Sequence, residues 1–75
     1  MEELEPVYQA VGARIRMIRD AIGIQQDDLA KRTKLSRASI ANIEAGRQRL
    51  QLHQLEKIAQ ALGTHTKGLM KGIWW

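Results

Sequence analysis

Twenty consecutive residues, Gln26 to Ala45, constrain the fold of this chain more than any other stretch: QDDLAKRTKLSRASIANIEA. The apolar spacing predicts one short helix over about Gln26 to Thr33, with Leu29, Ala30 and Thr33 turned inward. A second helix opens at Ser36, whose hydroxyl can accept a free backbone N–H and cap the first turn. Ile40 and Ile43 give it an inward face. Gly46 follows its last periodic residue, where a left-handed cap favours glycine.

Two helices with three or four residues between them read as a helix-turn-helix, which places its second helix in a DNA major groove. Ala30 is small where the second helix crosses, and Ile40, ten residues on, plugs the angle between the two. Positions 37, 38, 41, 42 and 45 are left outward. These twenty residues also fit an ordinary helical hairpin in a bundle, so the flanks must decide.

The flanks are helical. Pro6 suits a first helical turn, where its missing N–H is not needed. Val7, Val11, Ile15, Ile18 and Ile22 then recur at intervals of 4, 4, 3 and 4, one apolar stripe that Gly23 ends. Ile24 is expected to tuck inward. Gln25 is a poor cap for the helix that follows, and Asp27 and Asp28 compensate by placing carboxylates at its positive end. A basic loop, Arg47-Gln48-Arg49-Leu50, precedes a fourth helix over about Leu52 to Leu62, with Leu52, Leu55, Ile58, Ala59 and Leu62 inward and Gly63 as its stop. Thr64 is expected to cap a fifth helix over about His65 to Lys71 that buries Leu69 and Met70. The predicted fold is all-α, a compact five-helix bundle. Residues 1–5 form an acidic tail, 6–71 the domain and 72–75 a C-terminal tail. The predicted core is Val11, Ile15, Ile18, Ile22, Ile24, Leu29, Ala30, Ile40, Ile43, Leu52, Leu55, Ile58 and Leu62.

Composition removes several classes. At 75 residues the chain is one domain, near the lower limit for a core without staples. It has no cysteine, hence no disulfide and no thiolate metal site. No apolar run approaches the roughly 20 residues of a membrane span, and no signal peptide opens the chain. The expected location is therefore the cytoplasm. Net charge is +4, unevenly spread. Three of the acids are Glu2, Glu3 and Glu5. From Leu29 onward nine Lys or Arg stand against two Glu, a local net of +7. That balance suggests a polyanionic partner.

Across Ile15 to Leu62 the chain resembles the Xre-type, phage-repressor-like (Cro-type) helix-turn-helix family. The matching residues are Ile18-Arg19, Gly23-Ile24, Gln26, Leu29-Ala30, Leu35-Ser36, Ile40, Ile43-Glu44, Gly46, Leu55, Ile58-Ala59 and Leu62-Gly63. They run in unbroken register through four helices. Two positions depart from the family pattern: Lys34 stands where glycine is usual in the motif turn, and Gln25 where threonine is frequent. The resemblance implies double-stranded DNA as partner. It implies base contacts from Arg37, Ala38 and Asn42, and phosphate contacts from Gln26, Arg47, Gln48 and Arg49. Lys34, Arg32, Ser36, Ser39 and Ala41 are further candidates. Arginine can bridge O6 and N7 of guanine, asparagine can bridge N6 and N7 of adenine, and alanine can touch a thymine methyl. A partly buried ion pair between Arg19 and Glu44 is implied as well.

His53 and His65 stand far apart without cysteine or a paired carboxylate, so no metal site is expected. Ser36 and Ser39 have no nearby histidine base, so no nucleophilic catalysis is expected. No cofactor or small-molecule ligand is evident. Trp74 and Trp75 can cover a partner's surface or pack on the chain's own helices. The expected function is a sequence-specific transcriptional regulator, a repressor bound to its operator as a homodimer. It would be bacterial or phage-encoded and nucleoid-associated, and an antitoxin or a restriction-modification controller would use the same DNA-binding mode. A protein-interaction adaptor reusing the fold and a sequence-blind nucleic-acid binder are the competing classes.

Overall fold

The computed structural model describes residues 5–73. Five helices follow in chain order: α1 Pro6–Ile22, α2 Gln26–Thr33, α3 Arg37–Glu44, α4 Leu52–Ala61 and α5 Thr66–Met70. Helix α1 packs on α3 and α5, α2 on α3 and α4, and α4 on α5, so the helices close into a ring. Inside it lie Val11, Ile15, Leu29, Ala30, Ile40, Ile43, Leu55, Ile58, Ala59, Leu62, Leu69 and Met70, with Ile18 and Ile24 packed against that cluster.

The ends of the first four helices share one backbone device. After α1 the N–H of Gly23 donates to Asp20 O and that of Ile24 to Arg19 O. The same pair of bonds recurs after α2 at Lys34 and Leu35, after α3 at Gly46 and Arg47, and after α4 at Gly63 and Thr64. Each satisfies carbonyls a helix leaves free, and each needs a left-handed residue. Three of these positions are glycine, and the fourth is Lys34 at φ 60°. Gly46 is confined twice, because a Cβ there would also lie 2.8 Å from Gln9 Cα.

Three expectations need correction. Ile22 is 46% exposed. It occupies the last turn of α1, where Ile24 folds back on the core instead, its N–H on Arg19 O. Leu52 is 79% exposed. As the first residue of α4 it sits at the edge of the arc that Leu55, Ile58, Ala59 and Leu62 bury. Thr64 does not cap α5: the cap position is His65, its side chain makes no capping bond, and the helix is shorter than expected at both ends.

One close approach was not anticipated. Gly12 is buried on α1, where a Cβ would collide with the Ile43 carbonyl oxygen and stand 3.0 Å from that of Glu44. The main chain of α1 therefore rests against the last turn of α3.

Candidate DNA interface

Helix α3 is held from behind and bare in front. Ile40, Ile43 and Glu44 are its buried residues. Ser36 Oγ accepts the Ser39 N–H at 3.0 Å and squares off the N-terminus. Arg37, Ala38 and Ala45 are exposed, and Ser39, Ala41 and Asn42 half-buried. All residues expected to read bases therefore reach the surface on one side of α3.

Behind them lies a buried fork. Arg19 donates from Nε to Glu44 Oε2 at 2.7 Å and from Nη2 to Glu44 Oε1 at 2.9 Å. Its Nη1 donates to Ile24 O at 2.9 Å. The hydrogen bond to Glu44 raises the Arg19 pKa above its ordinary value, against the opposing effect of burial. The pair expected between Arg19 and Glu44 is thus present as a bidentate, charge-assisted contact. Gln26 extends it: Nε2 donates to Glu44 Oε1 at 3.0 Å. This fixes the Gln26 side chain at the start of α2 and still leaves one amide N–H and the carbonyl oxygen for another partner.

Arg37 and Gln26 line one polar groove with Arg16, Arg19, Gln25 and Asp27. Within it Arg37 Nε lies 3.2 Å from Asp27 Oδ1, with both side chains largely exposed. Past the other end of α3, Arg47 Nε donates a long bond to Asn42 Oδ1 at 3.4 Å. Arg47 and Arg49 are exposed and Gln48 half-buried. Lys34 lies elsewhere, in a basic hollow between α2 and α4 shared with Arg32 and Lys57. There Arg32 Nη1 donates to Ala61 O at 3.2 Å.

Sequence reasoning missed Asp27 as the partner of Arg37 and Arg16 as a groove residue. A signal for the first was present. Asp27 precedes Arg37 by ten residues, the same interval that separates Ala30 from Ile40 at the crossing of the two helices.

A helix-turn-helix family model, HTH_3, matches residues 15–69. The chain belongs to this family. The restriction-modification controller protein C.AhdI from Aeromonas hydrophila is 29% identical, with a TM-score of 0.83 over 87% of this chain and 98% of that one. The clp gene regulator ClgR from Corynebacterium glutamicum is 25% identical, with a TM-score of 0.85 over 92% of this chain and 72% of that one. The wild-type restriction-modification controller protein C.Esp1396I is 28% identical, with a TM-score of 0.82 over 91% and 88%. No curated protein is a significant match by sequence. Fold, family and neighbours make this chain a DNA-binding regulator of the helix-turn-helix type. Among the described residues no helix is long and apolar enough to cross a membrane, and no three acidic or histidine side chains are grouped to hold a metal ion.

Proposed function

We propose that this regulator is a repressor that binds a two-fold operator as a homodimer, with α3 in the major groove. Arg37, Ala38 and Asn42 would meet base edges, and Gln26, Arg47, Gln48 and Arg49 would meet phosphates. Ser36, Ser39 and Ala41 stand as secondary contacts, while Lys34 and Arg32 lie in the separate hollow between α2 and α4. The observation that carries this reading is the division of α3 itself: Ile40, Ile43 and Glu44 are buried, while Arg37 and Ala38 are exposed and two cationic side chains follow in the adjoining loop. A domain of this width covers about half an operator, and palindromic sites match two-fold proteins. Two recognition helices lodged in successive grooves would repress by occupying the promoter.

An apolar hollow supports the dimer. It is lined by Val7, Tyr8, Val11, Leu50, Leu52, Leu55 and Met70, and Leu52 projects from it. A patch that supplies both a knob and a hollow suits an isologous contact, in which each copy fills the other. Met70 brings α5 into this surface. Trp74 and Trp75, which can cover a partner's surface or pack on the chain's own helices, lie outside the described residues.

The test is a salt titration of Asn42→Ala and Arg47→Ala on operator and scrambled duplex. Loss of a bidentate base contact costs about 1–3 kcal/mol and relaxes preference at that base pair. Loss of a phosphate contact weakens all sequences alike and lowers the salt slope by about one unit per charge removed. Asn42→Ala should lower the ratio of operator to scrambled affinity, and Arg47→Ala should lower both affinities. Because Arg47 and Asn42 touch, the double variant should depart from additivity. Retention of the ratio in Asn42→Ala with its loss in Arg47→Ala would mean the two surfaces are assigned the wrong way round. No change in either would reject α3 as the recognition helix and favour an adaptor.

A further inference from the structure

A carboxylate stands where a DNA-binding surface should least want one. Asp27 lies in the first turn of α2, 65% exposed, beside Arg37 at the start of α3. It faces the same groove as Arg16 and Gln26, on the side that would approach phosphates. As an isolated charge it would oppose every duplex equally, so its effect must be sought in what it does to its neighbour.

The contact atoms indicate that effect. A guanidinium carries one N–H on Nε and two on each terminal nitrogen, in a rigid plane. Asp27 Oδ1 is 3.2 Å from Arg37 Nε. With a carboxylate along that edge, the guanidinium keeps its Nη1–Nη2 end open, and two parallel N–H groups are what guanine O6 and N7 accept. An unpaired arginine at a helix start would otherwise sweep through rotamers and settle against any phosphate. Orienting it favours the base, and the nearby negative charge disfavours the backbone. Specificity grows from both, since it is a difference between affinities.

We propose that Asp27 is a specificity-determining positioning residue that aims Arg37 at a base edge and suppresses its capture by phosphate. This rests on Arg37 reading a base, as set out above.

The experiment is a random-pool duplex selection with wild type, Asp27→Asn, Asp27→Glu, Arg37→Ala and the Asp27→Asn/Arg37→Ala double variant. Affinities for the winning and scrambled duplexes are measured alongside, and a melting curve of each variant confirms folding. Arg37→Ala should erase preference at one base pair per half-site. Asp27→Asn should broaden preference at that same pair, cutting the operator-to-scrambled ratio by about three- to tenfold, part of a full bidentate contact. Part of that change should be a gain on scrambled DNA. Asp27→Glu keeps the charge but moves it by one methylene, so it should broaden the same pair without the gain on scrambled DNA. In the Arg37→Ala background, Asp27→Asn should leave the selected profile unaltered.

An Asp27→Asn profile equal to wild type, with Arg37→Ala altered, overturns the proposal and leaves Arg37 as a base reader. Broadening at another pair, or persistence of the effect without Arg37, overturns it as well. An unaltered Arg37→Ala profile removes the base-reading assignment and the proposal with it.

Discussion

At the scale of single residues, the two most consequential side chains are Arg19 and Glu44. They form a buried fork; without Glu44, Arg19 keeps only the exposed Asp20 carboxylate, 3.2 Å from its Nη1, and breaking such a buried pair costs up to roughly 3–5 kcal/mol. Small domains have about 5–15 kcal/mol in total, so we expect Glu44→Ala to melt far below wild type in a circular-dichroism scan. An unchanged melting temperature would deny the pair its structural role. The converse is expected at Lys34. Its left-handed backbone costs an L-residue roughly 1 kcal/mol, while glycine loses part of that gain to its own chain entropy. Lys34→Gly should therefore gain up to about 1 kcal/mol in urea unfolding, and a loss of stability would mean the ammonium contributes more than the strain removes. These positions were legible in the sequence because each belongs to a fixed place in a motif. Gly12 was not. Nothing local marks it, since its need arises only where α1 meets the carbonyls of Ile43 and Glu44, 31 and 32 residues on. The pairing of Asp27 with Arg37 was half-legible, through an interval already used for Ala30 and Ile40.

At the scale of helices, boundaries were legible wherever a local hydrogen-bonding device sets them. Ser36 caps α3 and glycine closes α1, α3 and α4, as their positions indicated. Replacing Ser36 with alanine should cost about 0.5–2 kcal/mol, the usual worth of such a cap, and should weaken DNA binding by fraying the end that presents Arg37. A calorimetric scan paired with operator titration reads both effects, and neutrality in both would make the Ser39 N–H bond dispensable. Sequence reading failed at α5, where Thr64 has the better capping chemistry but the cap position falls on His65, whose side chain makes no capping bond. It failed also at the terminal turns of α1 and α4. Periodicity gives the direction a side chain takes but not whether a neighbouring helix reaches far enough to cover it, which is why Ile22 and Leu52 are exposed.

At the scale of the whole molecule, the closed ring of helices leaves Leu52 outside it, beside the hollow formed by Val7, Tyr8, Val11, Leu55 and Met70. If this is where two copies meet, Leu52→Glu should yield monomers in sedimentation velocity, keep the wild-type melting behaviour of the isolated domain at low concentration, and lose most operator affinity. Persistence of the dimer would move the interface elsewhere. Which elements exist was readable from periodicity, and which faces they share was only partly so, because the ring is closed by contacts between helices distant in the chain. The seat of α3 against Gly12 belongs to this scale too. It joins main chain to main chain, so the angle at which α3 leaves the body owes nothing to the letters written on its outer side. On the base-reading role proposed for them, positions 37, 38 and 42 would then be exchanged as type in a fixed frame, and new target sites would need no re-evolved fold to hold them.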